Sequence, residues 1–205
     1  MVHLHVHSKE GSFYDAVSSV TELVDQAVNN GHKAIALTDH GMMSGLFKFQ
    51  QYAISKGIKP ILGMEGYLVE ELVTMEGKKR KRTHYNHIIL LASNEIGWKN
   101  LCHLNYLSNI DEEHFYYKPR NTFEELFQYK EGIIVGSACL ASVFSQCVLA
   151  GDEEKAEAYF KRFVEEFGEN FYAEIQLNEL VEEQKKYNDW IIKTAAKYNV
   201  PVVIT

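Results

Sequence analysis

Three of the nine histidines, His3, His5 and His7, alternate along the first apolar run of the 205-residue sequence. Alternation with a period of two puts side chains on one face of a strand. A His-x-His pair on such a face can offer two imidazoles to one metal ion, although a polar strand face open to water gives the same short pattern. A second cluster, Leu37-Thr38-Asp39-His40-Gly41, ends an apolar run in an acid, an imidazole and a glycine. Here His40 reads as a metal ligand and Asp39 as the carboxylate that orients a neighbouring histidine. The competing reading is a helix N-cap at Asp39 with Gly41 in a turn. The third cluster, Gly63-Met64-Glu65-Gly66, sets an acid inside an apolar strand, where it needs a cation or a hydrogen-bond network. His87 opens the apolar run 88–92, at the start of a strand rather than its end, a position that by spacing alone suits a core histidine. Cys139, in Gly136-Ser137-Ala138-Cys139-Leu140, follows another apolar run. It is either a small buried hydrophobe or, as thiolate, a further ligand.

Such residues can act together only if the chain carries them to one place. Strand-like runs occur at 2–7, 34–38, 59–68, 88–92, 132–137, 171–177 and 201–205. Helical patterns separate most of them. One opens at Ser19-Val20-Thr21-Glu22, a capping-box pattern, and stops at Asn30-Gly31. A second starts near Asp152, repeats Ala156, Phe160, Phe163, Val164 and Phe167 on one face, and stops at Gly168. A third runs from about Glu179 to Tyr198. Strands alternating with helices predict an α/β fold with a parallel sheet, either doubly wound or closed. Because His5, His7, Asp39, His40 and Glu65 fall at or just beyond strand C-termini, a barrel whose strand ends share one rim is the better expectation. The segment 70–86 reads as an excursion, a hairpin or a loop.

The length suits one substantial domain, and 46% hydrophobic with 12% aromatic residues suits a large core. No run of about 18 apolar residues appears, and histidines interrupt the start where a signal peptide would be apolar. Neither a membrane partner nor a secreted location is expected. Cys102, Cys139 and Cys147 are odd in number without CxxC spacing, which fits a reducing cytoplasm. A net charge of −7 argues against broad phosphate binding, so any nucleic-acid contact should be local or assisted by metal. The basic run Lys78-Lys79-Arg80-Lys81-Arg82 reads first as a solvated loop tip and second as a DNA contact.

Taken in order, the clusters and their flanks carry a resemblance. The stretches are His3-Leu4-His5-Val6-His7-Ser8, Ala36-Leu37-Thr38-Asp39-His40-Gly41 with Gly45-Leu46-Phe47-Lys48-Phe49, and Gly57-Ile58-Lys59-Pro60-Ile61-Leu62-Gly63-Met64-Glu65. Tyr85-Asn86-His87-Ile88-Ile89-Leu90-Leu91-Ala92, Phe115-Tyr116-Tyr117-Lys118-Pro119-Arg120 and Ser137-Ala138-Cys139-Leu140 follow. With these the sequence resembles the PHP (polymerase and histidinol phosphatase) domain of DNA polymerase III alpha subunits, over essentially all of residues 1–205. The resemblance implies a distorted seven-stranded, TIM-like α/β barrel carrying up to three divalent ions. Its metal positions fall on His5, His7, Asp15, His40, Glu65, His87 and Cys139. The stretch from His7 to Asp15 is one residue longer than the family spacing. A family Asp-x-His pair follows a strand like 201–205, and the sequence stops before it.

Mixed imidazole, carboxylate and thiolate donors suit zinc or manganese. The expected activity is metal-dependent phosphodiester hydrolysis, a 3′→5′ proofreading exonuclease acting on a single-stranded DNA end during replication. Water activated by the ions would be the nucleophile, with no separate base among the side chains. Lys118 and Arg120 are candidates to hold a phosphate, or are loop charges in solvent. The rest of the polymerase alpha chain, and other replisome subunits, would be partners. Two further readings remain: a catalytically silent domain that docks the polymerase or a proofreading subunit, and a small-molecule phosphoesterase. The Phe-Tyr-Tyr-Lys-Pro-Arg stretch resembles the polymerase branch and argues against the last.

Overall fold

Apolar runs flanked by amphipathic segments must bury one sheet face under helices, and here they do so around a curled sheet. The computed structural model describes residues 2–72, 84–178 and 180–205, with the backbone of 75–76 and 79–80. The first half holds α1 (Val20–Asn29), β1 (Ala34–Leu37), α2 (Leu46–Ser55), β2 (Lys59–Val69), β3 (Met75–Glu76), β4 (Lys79–Arg80), β5 (Asn86–Ala92) and α3 (Glu95–Leu107). Then come β6 (Phe115–Tyr116), β7 (Lys118–Pro119), β8 (Asn121–Thr122), α4 (Phe123–Gln128), β9 (Ile133–Gly136) and α5 (Val143–Leu149). The chain ends with α6 (Glu153–Phe167), β10 (Phe171–Ile175), α7 (Glu182–Tyr198) and β11 (Val202–Ile204).

Helix ends follow local chemistry. Ser19 and Glu22 form the expected capping box on α1, the Ser19 amide donating to Glu22 Oε2 at 2.7 Å and the Glu22 amide to Ser19 Oγ at 3.3 Å. Helix α6 starts after its Asp152 cap and buries Ala156, Phe160, Phe163 and Phe167, while Val164 is only partly covered. Helix α7 begins at Glu182, later than the pattern suggested, and Glu179 lies outside the described residues. The 70–86 excursion contains a short antiparallel ladder of β3 with β4, and most of the basic run around it falls outside the described residues.

The main sheet runs β1-β2-β5-β9-β10-β11, with β8 added beside β2. Five of its contacts are parallel or antiparallel in a pattern that corrects the all-parallel expectation: β5 runs antiparallel to both β2 and β9, while β1–β2, β9–β10 and β10–β11 are parallel. The sheet curls into a half-barrel. The 2–7 segment lies along β1 without becoming a regular strand. The Ala36 and Thr38 amides donate to the His3 and Val6 carbonyls, but the Val6 amide turns to Thr38 Oγ1 at 2.8 Å, so a side chain interrupts the ladder.

Alternation then separates two surfaces. Met64, Leu68, Ile88, Leu90, Val135 and Phe171 face outward into a core with Phe123, Phe144, Phe160 and Phe163 from the helices. Ile61, Ile89, Leu91 and Ile134 face the concave side, around a cavity of about 360 Å³ that Leu4 and Glu174 also line. Going up the same inner rows leads from Ile61 to Glu65 and from Ile89 back to His87. The apolar floor therefore rises into polar side chains at one rim.

Candidate metal centre

Glu65 sits within β2, is fully buried, and is the point on which the other side chains converge. His5 Nε2 lies 3.2 Å from Glu65 Oε1, and His7 Nε2 3.9 Å from Oε2. His87 Nδ1 is 2.9 Å from Oε1, and His40 Nδ1 lies against Oε2. Cys139 Sγ is 3.8 Å from Glu65 Oε1 and 3.6 Å from His87 Nδ1. Asp15 reaches in from the exposed side, its Oδ2 2.9 Å from His40 Nε2. His5, His7, His40, His87 and Cys139 thus meet around the Glu65 carboxylate, and Asp15 joins them through His40.

The topology explains how. His40 follows β1 and bridges to Glu65, and Cys139 follows β9. His87 lies at the start of β5, yet β5 is the reversed strand, so its start shares the rim with the ends of its neighbours; Tyr67 of β2 is its register partner. Ala138, in a left-handed conformation at φ 61°, makes the sharp turn that brings Cys139 back over the rim. His3 takes no part: its ring packs 5.1 Å from that of His32.

Asp39 differs from its sequence expectation. Its carboxylate accepts from the Ser8 amide at 2.6 Å, Ser8 Oγ at 2.7 Å and Ser12 Oγ at 2.9 Å, and it contacts no imidazole. It caps no helix either. Instead it pins the 8–15 loop that carries Asp15, and the His40 amide donates to Ser12 Oγ at 3.1 Å. Gly11 permits this close approach, since a Cβ there would fall 2.6 Å from the Asp39 Cβ.

Two residues named for phosphate contact part ways. Lys118 is half-buried, with its Nζ donating to the Tyr67 hydroxyl at 3.3 Å, beside the ring that packs on His87. Arg120 is 2% exposed, donates to the Lys118 carbonyl at 3.2 Å and lies over the Tyr85 and Tyr116 rings. Its burial rules out the alternative reading of Arg120 as a loop charge in solvent.

Sequence reasoning missed Glu174. This buried acid of β10 stands 2.7 Å through Oε1 from His5 Nδ1. The signal was present in Phe171-Tyr172-Ala173-Glu174-Ile175, an acid in an apolar strand like that around Glu65.

Electrostatics follow from burial and proximity. Burial by itself would lower the His5 pKa, but hydrogen bonds to Glu174 and Glu65 outweigh it and raise it to about 10. His7 goes the other way, to about 4, because burial and the nearby His40 and His5 outweigh the pull of Glu65. Burial would raise Glu65, yet hydrogen bonds from His40, His5 and His87 hold it well below the usual carboxylate range. Burial and the Glu65 charge push the Cys139 thiol up to about 12. Two buried carboxylates at this rim call for positive charge, which protonated imidazole or a bound cation can supply.

Metal fits the remainder. His5, His7 and Glu65 place ligand atoms within 4.8 Å of one another, as do His40, Glu65 and His87. His7 Nδ1 is buried with no hydrogen-bond partner among the described residues, and His40 Nδ1 and Glu65 Oε2 are buried with only each other, crowded together outside ordinary hydrogen-bond geometry. Ligand-type atoms crowded together and left unsatisfied are what a cation between them would relieve.

Comparison with known proteins agrees with this architecture. Residues 3–178 match the family model described as PHP domain. The chain is 38% identical over its whole length to DNA polymerase III subunit alpha of Aquifex aeolicus and 39% identical to that of Treponema pallidum. It spans 18% and 17% of the lengths of those two relatives. Among solved structures, an amidohydrolase from Chromobacterium violaceum with bound sulfate superposes with a TM-score of 0.56 at 14% identity, over 98% of this chain and 84% of that one. A candidate metal-dependent phosphoesterase from Bifidobacterium adolescentis gives 0.55 at 12% identity, over 99% and 85%. At such identities these two speak to the fold alone. No helix among the described residues is long and apolar enough to cross a membrane.

Proposed function

The chain belongs to the PHP domain family, and on that premise we propose that its Glu65-centred site holds divalent zinc or manganese and hydrolyses phosphodiesters at the 3′ end of a DNA strand. It would do so as part of a longer polymerase alpha chain acting in replication in the cytoplasm. The observation that carries the reading is the convergence of four imidazoles and a thiol on one buried glutamate, with an exposed carboxylate, Asp15, on the outer nitrogen of His40. His5, His7, Asp15, His40, Glu65, His87 and Cys139 would hold the ions, and this mixed donor set favours zinc or manganese over calcium or magnesium. Bound divalent ions supply the acidification of water and the polarisation of phosphoryl oxygens that phosphodiester cleavage needs.

The protein's own groups do the rest. Glu65 joins the two histidine groups and fixes their spacing. Asp39 fixes the loop of Asp15 through Ser8 and Ser12, so that the exposed lip of the site is held in place. Lys118 reaches the rim beside Tyr67 and can pair with a phosphate oxygen as a point charge. Phe13, Tyr14 and Tyr117 stand exposed on the two loops that reach the rim, and such faces suit stacking with unpaired bases. With a chain of net charge −7, these local contacts must carry the nucleic-acid binding.

The test combines elemental analysis with a nuclease assay. The chain, extended through the Asp-x-His pair that the resemblance places after Thr205, is assayed on a 3′-labelled single strand with Mn²⁺ or Zn²⁺ restored. Release of the 3′ label and loss of bound metal in the His40→Ala and His87→Ala variants are expected. Tight metal binding with no shortening of any strand would replace the hydrolytic reading with that of a docking domain. Unchanged metal content in both variants would remove the site assignment.

A further inference from the structure

Glu174 lies on β10, beyond the set of residues that the metal reading uses, and it is 2% exposed. Its Oε1 is 2.7 Å from His5 Nδ1, and the other ring nitrogen, Nε2, is 3.2 Å from Glu65 Oε1. The His5 ring is therefore held between two buried carboxylates, one on each side. We propose that Glu174 is a positioning residue: it binds the Nδ1–H of His5 and so turns the Nε2 lone pair toward the cation site. This rests on the metal reading above and extends it to a residue outside the ligand set.

The surroundings of Glu174 are built to hold that pose. Its amide donates to Ser137 Oγ at 2.8 Å, and Ser137 lies two residues before Cys139. Thr205 Oγ1 donates to Glu174 Oε1 at 2.8 Å. Gly136 on the adjacent strand lies beside the side chain, where a Cβ would make ordinary contact with Glu174 Oε2 at 3.4 Å and a tighter one with the Ile89 Cβ at 3.2 Å. Below, the cavity wall is mostly apolar, with Leu4, Ile61, Ile89, Leu91 and Ile134, and Lys59, Ser93 and Tyr172 line it as well. No lysine or arginine pairs with Glu174 among the described residues. A carboxylate kept at such a place needs its imidazole partner.

A neutral imidazole has one protonated and one bare nitrogen, and the partner of the first decides which nitrogen is free for a metal. His40 and His87 each present Nδ1 to Glu65, whereas His5 presents Nε2. A ring that must ligate through Nε2 needs Nδ1 occupied from behind, and β10 is the element that stands there. Without the Glu174 acceptor the ring is free to turn about its Cβ–Cγ bond and offer either nitrogen.

The experiment compares Glu174→Gln, Glu174→Asp and Glu174→Ala with the parent chain. Zn²⁺ affinity is measured by competition with a chromophoric chelator. The ligating nitrogen of His5 is read from ¹⁵N–¹¹³Cd coupling in the Cd²⁺-loaded protein. Glutamine keeps an acceptor at the same reach, while aspartate keeps the charge and withdraws it by one methylene. Affinity at the His5 site should rank parent, then Gln, then Asp, then Ala, with Ala about 10–100-fold weaker, as for loss of other residues that orient ligating histidines. His5 should couple through Nε2 in the parent and Gln proteins, and lose that signal or move it to Nδ1 in Asp and Ala. If Ala does not fold, the Gln–Asp order still decides. Asp tighter than Gln would make charge or direct ligation the role of Glu174 and overturn the proposal, as would parent-like affinity and coupling in both Asp and Ala. A parent chain that takes up no metal would instead fail the reading on which the proposal rests, and the proposal with it.

Discussion

Replacing Glu65 with alanine should abolish the thermal stabilisation of the chain by divalent metal, because this one carboxylate belongs to both candidate ligand groups. A cation present at about one hundred times its dissociation constant stabilises the folded chain by about 2.7 kcal/mol per site, and about 1 kcal/mol moves the midpoint of a protein of about 150–250 residues by about 2–4 °C, so each filled site adds about 5–11 °C. His5, His7 and Glu65 form one group, and His40, Glu65 and His87 the other. His7→Ala should therefore remove one increment and His87→Ala the other, each leaving the remaining half, while Glu65→Ala removes both. Scanning calorimetry of chelator-treated and Zn²⁺- or Mn²⁺-loaded protein, with each variant referred to its own metal-free midpoint, separates this from any direct effect on folding. A full metal-dependent rise in Glu65→Ala would refute the shared-carboxylate geometry. Complete loss in both histidine variants would show that there is one site rather than two.

Phe163 is fully buried and its ring packs against those of Phe123, Phe127, Phe144, Phe167 and Phe171, so Phe163→Ala should cost about 3–5 kcal/mol, read as a lowered midpoint in urea at unchanged slope. Gly97→Ala should destabilise by about 1–3 kcal/mol although alanine favours helix, because its Cβ would lie 1.8 Å from the Gly132 carbonyl oxygen; Ile96→Ala, at an exposed neighbour, is the control. His114 lies between Glu125 and Asp111, 2.8 and 2.9 Å away; burial opposes its protonation, but the two carboxylates outweigh burial and raise its pKa above 6.5. A raised folded pKa means stability that is complete below 6.5 and lost as the pH climbs through the folded value. The stability gap between the parent and His114→Gln, on the order of 1 kcal/mol in acid, should thus narrow with rising pH in denaturation curves, and a gap that is flat or widens contradicts the pairing.

The readable parts of the fold were those whose cause is local. Ser19 and Glu22 cap α1 through bonds three residues apart, and the spacing of Phe160, Phe163 and Phe167 marks the buried face of α6 without reference to the rest of the chain. The direction of β5 was not of this kind. A strand buried on both faces reads the same from either end, and its antiparallel pairing with β2 and β9 is fixed only by the connections on each side. That reversal is also why His87 looked out of place. Its position at a strand start suited a core residue in a parallel sheet and becomes a rim position once the strand runs the other way. The short strands β6, β7 and β8 left no pattern, since two residues cannot display a period.

Asp39 and Glu174 show where adjacency misleads and burial does not. Asp39 stands next to His40 in sequence, and for that reason read as the group that orients a histidine. Neighbouring residues leaving a strand diverge, however, and its carboxylate is consumed by Ser8 and Ser12. The acid that does meet an imidazole from behind, Glu174, is separated from His5 by 169 positions. Met64-Glu65-Gly66 and Ala173-Glu174-Ile175 share a simpler property: each sets one buried acid within an apolar strand, among buried or partly buried neighbours. Because an unpartnered carboxylate there costs several kcal/mol, roughly, each must be answered by imidazole, hydroxyl or cation, wherever in the sequence that partner lies. An acid in an apolar strand therefore points to a polar centre before any partner is known, and here the two such acids grip the same histidine.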